Sequence, residues 1–331
     1  MRERCGGTFI VLVSALVLAF GAIGCSVNVG GGGGSEEGSG DKDLTVGVSN
    51  LGLSFPFPAA IGEGIKEEAK KHNVKIVQAD AQGDVNKQTN DVQDLIGQAV
   101  DGILLLPVDS GVATRMVDDI KEAGIPVIAV ASQVGESKDL EDVYPNLNAL
   151  ATQSEVGAGA KAGEIAVDAL PDGGKIAVVE GAAGFAEVRL RLEGFEQVLN
   201  DAEADYQIVA SQPGDWVPEE SRAACENMLS ANPDIDLFYA ESDDMAIGCI
   251  EAVGKEAEVI GIGGAKQAME AIEDGRLLGT VCYKPNDLGH IAMKAMYEHL
   301  TGERKLQQEF ITYDTPKITK ENVDECTPPQ W

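Results

Sequence analysis

Short apolar runs alternate with amphipathic segments along the chain from Leu44 onward. The runs are continuous, and the segments between them carry apolar residues at helical spacing. Continuous apolar strands are typical of parallel sheets that are covered by helices on both faces. The predicted strands of the first half are 44–48, 75–79, 102–106 and 126–130, and the predicted helices are 59–72, 87–98 and 111–123. This half is therefore predicted to be a doubly wound α/β domain.

The same pattern returns in the second half. Val46 precedes the helical residue Gly64 by 18 residues, and Ile176 precedes Gly194 by the same 18. The predicted strands here are 176–179, 206–210, 237–240, 258–262 and 279–283, and the predicted helices are 156–169, 187–200, 218–231, 245–253, 267–274 and 287–301. Two similar units predict two similar domains that face each other across a cleft. The last predicted strand (279–283) and helix (287–301) are additional to the two similar units, so we expect them to pack in one of the two domains.

Composition narrows the class of protein. The chain has 331 residues, of which 44% are apolar and 24% charged, enough for two domains. Its formal net charge of −30 argues against nucleic acid as a partner, because little would neutralise phosphates. We interpret the acidic balance as a solvated surface that keeps an exported protein soluble.

The first 24 residues have the features of an export signal. Arg2 and Arg4 give a basic start, and the apolar run 9–20 is shorter than the roughly 20 residues of a membrane-spanning helix. Small residues then lead to Cys25, which resembles the bacterial lipoprotein signal, although Ala22 stands where Leu is more usual. A plain secretory signal is the alternative. The Gly- and Ser-rich stretch up to residue 43 predicts a flexible tether and favours lipidation of Cys25.

Four cysteines lie beyond the leader. They accompany no CxxC motif and no His cluster, so no metal site is predicted. Disulfides are allowed in an exported protein. Cys225 and Cys249 fall on helices that flank the strand 237–240, which favours the pairs Cys225–Cys249 and Cys282–Cys326 among three connectivities. Buried free thiols are the alternative.

Enzyme motifs are missing from the sequence. The glycines at 261, 263 and 264 follow a strand but do not form a complete GxGxxG, and no GxxxxGK[ST], GxSxG or HExxH occurs. Asp243 and Asp244 form a carboxylate pair where a strand meets a helix, and helix capping explains the pair at least as well as catalysis. We therefore predict neither an enzyme nor a cofactor.

Several segments together resemble a known family. They are VQDLI at 92–96, GILLLPVDS at 102–110, RLRLEGF at 189–195, ASQPGDW at 210–216 and SDDMAIG at 242–248. In this order they resemble the ribose-binding protein group of type I periplasmic-binding proteins, the solute receptors of sugar ABC transporters. The resemblance implies two Rossmann-like lobes joined by three hinge crossovers, near 151–153, 283–284 and 312–313. It implies an N-terminal lobe of 44–151 plus 284–312 and a C-terminal lobe of 152–283 plus 313–331.

The resemblance also implies ligand-binding residues. Phe55, Phe57 and Trp216 match aromatic residues that stack on the sugar, and Arg189 matches the cleft arginine. Packing of the loop by one phenylalanine, and a surface ion pair for Arg189, are the alternatives. Four further positions depart from the sugar binders: Ser132 follows Ala131 where Asp-Arg is usual, Ser242 replaces Asn, Gly263 replaces Asp, and Tyr283 replaces Gln. These departures predict a less acidic pocket and disfavour ribose, glucose and galactose, leaving a polyol, a deoxy or furanose sugar, or a sugar acid.

The expected function is that of an exported, lipid-anchored receptor on the outer side of the cell membrane. It would deliver a small sugar-like ligand to an ABC permease by closing its two lobes around the ligand. We expect a monomer without cofactor or metal. A sensory receptor that presents the ligand to a signalling partner, or a binder of a non-sugar molecule, is the alternative.

Overall fold

The computed structural model describes residues 43–135, 142–326 and 331. The predicted leader, Cys25 and the tether up to residue 42 lie outside the described residues. The first half contains β1 (Thr45–Asn50), α1 (Pro56–Lys71), β2 (Lys75–Asp80), α2 (Val85–Gly97), β3 (Gly102–Leu105), α3 (Ser110–Glu122), β4 (Val127–Val130) and β5 (Ala149–Ala151). The predicted elements of this half are confirmed, and β5 was not predicted.

The second half continues the alternation of helices and strands. It contains α4 (Glu155–Ala169), β6 (Gly173–Glu180), α5 (Ala186–Asp201), β7 (Asp205–Pro213), α6 (Pro218–Ala231), β8 (Leu237–Ala240), α7 (Asp243–Val253), β9 (Glu258–Ile260), α8 (Lys266–Glu273) and β10 (Gly279–Val281). After these come α9 (Pro285–Thr301), β11 (Glu309–Ile311), β12 (Lys317–Thr319) and a 3₁₀ turn (Val323–Cys326).

Two sheets organise these elements into two lobes. The first sheet has the order β11-β5-β4-β3-β1-β2 and the second has the order β12-β10-β9-β8-β6-β7. All neighbours pair in parallel except β12, which runs antiparallel to β10. The two orders are equivalent strand for strand, which confirms the predicted repeat. We call the elements built on the first sheet the first lobe and those on the second sheet the second lobe.

The chain passes between the lobes three times: after β5, after β10 and after β11. The last predicted helix, α9, packs against α1, and β11 joins the edge of the first sheet, so both belong to the first lobe. The last predicted strand, β10, belongs to the second sheet, so the expectation that the last strand and helix return to one domain is wrong. These passages correspond to the three predicted crossovers. The predicted end points of each lobe remain a prediction.

Local chemistry explains where several helices begin. The Asp109 carboxylate accepts a hydrogen bond from the backbone N–H of Val112 at 2.7 Å and caps α3. Gly124 follows the helix with φ of 74°, the left-handed conformation that ends helices at glycine. In the described ranges, no helix is both long and apolar enough to cross a bilayer.

Both disulfides of the favoured connectivity are present. Cys225 on α6 bonds to Cys249 on α7, with Cα atoms 5.5 Å apart. Cys282, directly after β10, bonds to Cys326 at the end of the 3₁₀ turn, with Cα atoms 5.9 Å apart. Both pairs lie in the second lobe, and the second pair holds the last described segment against the end of β10.

Candidate functional site

A cavity of about 300 Å³ lies between the lobes. Its lining comes from the segments that follow β1 to β5 of the first sheet and β6 to β10 of the second, together with Trp331. Ligands of open parallel sheets bind at this edge, beyond the carboxyl ends of the strands. The volume is at the lower end of the roughly 300–1,000 Å³ usual for ligand pockets, which suits a small molecule.

Aromatic side chains dominate the cavity wall. They are Phe55, Phe57, Phe185, Trp216, Tyr283 and Trp331. Trp216 lies so close to the end of β6 that a Cβ atom on Gly181 would be 1.9 Å from its Cη2. Asp215 and Trp216 both have positive φ, 51° and 63°, which is unusual for residues other than glycine. Such backbone strain persists where a side chain must be aimed at a site.

Arg191 is the cationic residue of the lining. It is 7% exposed, and its guanidinium lies between two rings, 5.5 Å from the centroid of Trp216 and 5.3 Å from that of Tyr283. Its Nε donates to Glu155 Oε2 at 2.6 Å, and its Nη1 donates to the Glu241 carbonyl at 2.6 Å. Burial opposes its charge, but the Glu155 carboxylate raises the pKa of Arg191 above its ordinary value. The cavity therefore holds a fixed positive charge close to two aromatic rings.

The structure does not bring the predicted arginine, Arg189, into the cavity. Its side chain is 50% exposed and its Nη1 pairs with Glu193 at 3.0 Å, which is the alternative given above. Residues two apart on a helix point in directions roughly 200° apart, so Arg189 and Arg191 cannot both face the cleft. The prediction that Arg189 is the cleft arginine is therefore corrected: the arginine in the cavity is Arg191.

Glu187 links the two lobes across the cavity. Its Oε1 accepts a hydrogen bond at 2.6 Å from the hydroxyl of Ser132, which follows β4. Burial, reinforced by the charge of Glu155, raises the pKa of Glu187 to about 7. A second inter-lobe contact involves Ser110, whose backbone N–H donates to the Gly184 carbonyl at 2.9 Å. The Ser110 hydroxyl accepts from the Ala186 N–H at 3.2 Å, so both inter-lobe contacts meet residues 184–187 of the second lobe.

The two aspartates after β8, Asp243 and Asp244, lie in different places relative to the cavity. Ser242 lines the cavity and caps α7 by accepting from the Met245 N–H at 3.2 Å. Asp243 is buried behind the wall, where its carboxylate accepts from the Thr280 hydroxyl at 2.6 Å and from the Ala265 N–H at 2.8 Å. Asp244 lines the cavity, and burial raises its pKa. Together with Glu187 and Asp215, it makes the cavity richer in carboxyl groups than expected from the sequence.

Seven of the eight predicted ligand-binding residues line the cavity, and Arg189 does not. The seven are Phe55, Phe57, Ser132, Trp216, Ser242, Gly263 and Tyr283. Their contact with a ligand remains a prediction. The described residues contain no group of His, Cys, Asp and Glu side chains arranged to hold a metal ion.

Sequence reasoning missed Glu155, Phe185, Glu187, Arg191 and Trp331. For two of them a signal was available, because Glu187 and Arg191 share a face of α5 with Leu190, Gly194 and Phe195, all buried. Helical periodicity would have selected Arg191 over Arg189. No sequence signal connects Trp331 to Gly263, which lies 68 residues earlier.

A hydrogen-bonded chain connects Arg191 with the three crossovers. Glu155 accepts from Arg191, from the Tyr283 hydroxyl at 2.7 Å and from the Gln153 amide at 2.5 Å. The Tyr313 hydroxyl donates to Gln153 Oε1 at 3.4 Å and accepts from the Lys284 N–H at 3.2 Å. One tyrosine hydroxyl thus bridges all three segments that join the lobes.

Comparison with known proteins identifies the family. The periplasmic binding protein domain model matches residues 46–304, which is most of the chain. The chain belongs to this family, and its two lobes with parallel-sheet cores make it a type I member.

Among individual relatives, the ribose import binding protein of Bacillus subtilis (strain 168) is 34% identical over 80% of this chain and 84% of its own length. The xylitol-binding protein of Mycolicibacterium smegmatis is 30% identical over 93% of this chain and 86% of its own length. A solved ABC transporter solute-binding protein from Bacillus halodurans, with bound myo-inositol, superposes with a TM-score of 0.79 at 26% identity, covering 86% of this chain and 96% of its own. These relatives are binding proteins rather than enzymes.

Proposed function

We propose that this protein is the extracytoplasmic solute-binding receptor of an ABC importer and that it binds a small sugar or polyol between its two lobes. The observation that carries the proposal is the cavity itself, whose aromatic rings surround one buried arginine and several carboxyl groups. Rings suit the C–H faces of a polyhydroxylated ligand, while the charged groups suit its hydroxyls. Relatives named for ribose and xylitol, and a neighbour that holds myo-inositol, support the same ligand class.

Lobe closure is the mechanism that this arrangement supports. A ligand in the cavity would touch Phe57 of the first lobe and Trp216 of the second only while the lobes are together. Such a ligand stabilises the closed state by the difference in its affinity for the two states. The permease would then distinguish loaded from empty receptor by the relative position of the lobes.

The test is thermal unfolding of the purified protein against a panel of small ligands. The panel contains xylitol, myo-inositol, ribose, sugar acids and, as a non-sugar arm, nucleosides and amino acids. A ligand at 100 times its dissociation constant adds about 2.7 kcal/mol to the free energy of unfolding, a shift of several degrees. A shift by a sugar or polyol supports the proposal. Shifts confined to the non-sugar arm would contradict it.

Attachment to the membrane through Cys25 belongs to the same proposal. The small residues before Cys25 and the glycine-rich stretch after it support a lipidated cysteine followed by a tether that leaves the receptor free to reach its permease. We expect the wild-type protein to incorporate radiolabelled fatty acid and a Cys25→Ser variant to incorporate none. Equal labelling of the Cys25→Ser variant would overturn lipid anchoring at Cys25. The receptor is proposed to act as a monomer, which sedimentation of the soluble form tests.

A further inference from the structure

We propose that Trp331 forms part of the ligand-binding wall and selects ligands that present C–H groups, rather than a hydroxyl group, towards Gly263. The inference rests on the proposed function, because it assigns a contact surface within the same cavity. The sequence pattern did not connect Trp331 with this cavity.

The indole of Trp331 lies in the cavity wall and is fixed from three sides. Its Nε1 donates to the Gly263 carbonyl at 3.0 Å, and its main-chain oxygen accepts from the Lys266 N–H at 2.8 Å. The ring meets Phe57 of the first lobe edge to face, with centroids 5.2 Å apart. Trp331 therefore contacts both lobes at the cavity.

Gly263 and the indole are complementary in shape. A Cβ atom on Gly263 would be 2.4 Å from Cζ2 of Trp331, closer than any non-bonded carbon pair can be. Gly263 also has φ of 150°, which side chains rarely allow. Glycine at this position thus leaves the space that the indole occupies.

Trp216 has the same arrangement at another strand end. It lies over Gly181 after β6, as Trp331 lies over Gly263 after β9. Each indole packs on a glycine of the second lobe, and both line the cavity. Both tryptophans of the chain therefore belong to the second-lobe wall, together with Phe185 and Tyr283.

A disulfide holds the chain next to Trp331. Cys326, which is buried, is bonded to Cys282, the neighbour of the cavity residue Tyr283. A Cβ atom on Gly264 would be 2.7 Å from the Cys326 sulfur, so the cystine packs directly beside the Gly263 turn. Covalent attachment five residues before Trp331 restricts the positions that the indole can reach.

The chemistry follows from the hydrogen bond of the indole. Indole has a single donor, Nε1–H, and here it is used on the Gly263 carbonyl. The ring then offers the ligand only its apolar surface, which packs against C–H groups and leaves a hydroxyl without a partner. The ligand class is a sugar or polyol with a C–H face on this side.

The experiment measures the dissociation constants of xylitol, myo-inositol and ribose by calorimetry for wild type, Trp331→Ala and Trp331→Phe. For the probe that binds best, we expect Trp331→Ala to weaken binding at least tenfold and Trp331→Phe to recover part of the loss. Tyr297→Ala is the matched control, because it removes a half-buried ring that stacks on His72 outside the cavity lining. Wild-type affinity in Trp331→Ala would overturn the inference while leaving the proposed function intact.

The two disulfides provide a second comparison. Replacing both Cys282 and Cys326 with Ser should weaken binding, and this loss should vanish in the Trp331→Ala background because the same contact is already gone. Replacing both Cys225 and Cys249 should lower the melting temperature without changing the affinity. Equal effects of the two disulfides on affinity would contradict the inference.

Acrylamide quenching in the absence of ligand tests the placement of Trp331 separately from the proposed function. In Trp216→Phe, Trp331 is the sole tryptophan, and its fluorescence should be shielded from acrylamide in the native state. Quenching equal to that of free indole overturns the placement of Trp331 at the wall. A wild-type protein stabilised only by the non-sugar arm of the panel overturns the proposed function and the ligand class with it.

Discussion

The two walls of the cavity differ in chemistry. In the described lining, the first lobe contributes apolar side chains and the hydroxyl of Ser132, and the polar Gln153 lies on the crossover after β5. The carboxyl groups and the guanidinium of the lining all belong to the second lobe: Glu187, Arg191, Asp215 and Asp244. The polar recognition groups are thus held in place by one lobe before closure, and the other lobe adds rings and excludes water. Because these polar groups are already held in position, little conformational entropy is lost when they bind a ligand. The second lobe should therefore contribute most of the affinity.

Removal of Arg191 should have the largest effect. Arg191→Ala leaves the Glu155 carboxylate buried without its cationic partner, and breaking a buried pair in this way costs about 3–5 kcal/mol of stability. Ligand affinity should fall at least 100-fold, since the cationic group of the lining is lost. Denaturant unfolding and calorimetry measure the two quantities.

Arg189→Ala is the matched control on the same helix. Its exposed pair with Glu193 should contribute no more than about 1 kcal/mol, and affinity should remain unchanged. If Arg189→Ala reduced affinity as much as Arg191→Ala, the assignment of the cavity arginine would be wrong.

Aromatic residues on opposite walls give the next comparison. Trp216→Ala should cost about 2 kcal/mol of binding free energy, because the partly buried indole packs on Gly181 and supports Arg191. Phe55→Ala should cost less than about 1 kcal/mol, because Phe55 is 41% exposed at the cavity rim. Titration of both variants with the best ligand checks the order. If Phe55→Ala lost more binding free energy than Trp216→Ala, the first lobe and not the second would dominate the affinity.

The fold was more predictable than the site. Apolar runs and glycine spacing predicted the two equivalent sheets, since burial on both faces leaves a continuous pattern in each strand. The three-residue strand β5 was missed because Ala149–Ala151 is too short to show any period. In the site, the family resemblance placed Phe57, Trp216 and Ser242 among the ligand-binding residues, and all three line the cavity.

Long-range contacts set the limit of prediction in the site. Glu155 meets Tyr283 across 128 positions of sequence, and Ser132 meets Glu187 across 55. The first pair depends on how the second lobe folds and the second pair on how the two lobes come together, and no local pattern records either. The arginine is different, because the periodicity of α5 already distinguished Arg191 from Arg189.

The lobes should also differ in their response to pH. In the second lobe, burial raises the pKa of Asp243 and of Glu187 to about 7 and that of Glu241 to about 8. A carboxyl group with a raised folded pKa binds more protons in the native state, so stability falls as pH rises from the unfolded value towards the folded one. We expect stability to decrease between about pH 5 and pH 8, by up to about 1.4 kcal/mol per pH unit for each group.

Glu68 in the first lobe acts in the opposite direction. Burial raises its pKa, but hydrogen bonds from Lys71, His290 and His72 outweigh burial and lower the pKa to about 2. Its contribution is present above about pH 4.5 and is lost as pH falls towards 2. Unfolding curves at several pH values check both signs. Glu241→Gln should flatten the slope between pH 5 and pH 8, and an unchanged slope would remove Glu241 as a source.

The smallest effect should come from the tyrosine that joins the crossovers. Tyr313→Phe removes the hydroxyl that links Gln153 and Lys284, at a cost of about 1 kcal/mol in stability. Because these segments connect the lobes, the loss should also shift the balance between open and closed states and change affinity a few-fold. Small-angle scattering with and without ligand measures that balance. Tyr206→Phe is the control, since its hydroxyl donates to the Leu170 carbonyl at 2.7 Å within the second lobe and should affect stability alone. If Tyr313→Phe and Tyr206→Phe gave identical scattering and affinity, the Tyr313 hydroxyl at the crossovers would not influence the balance between open and closed states.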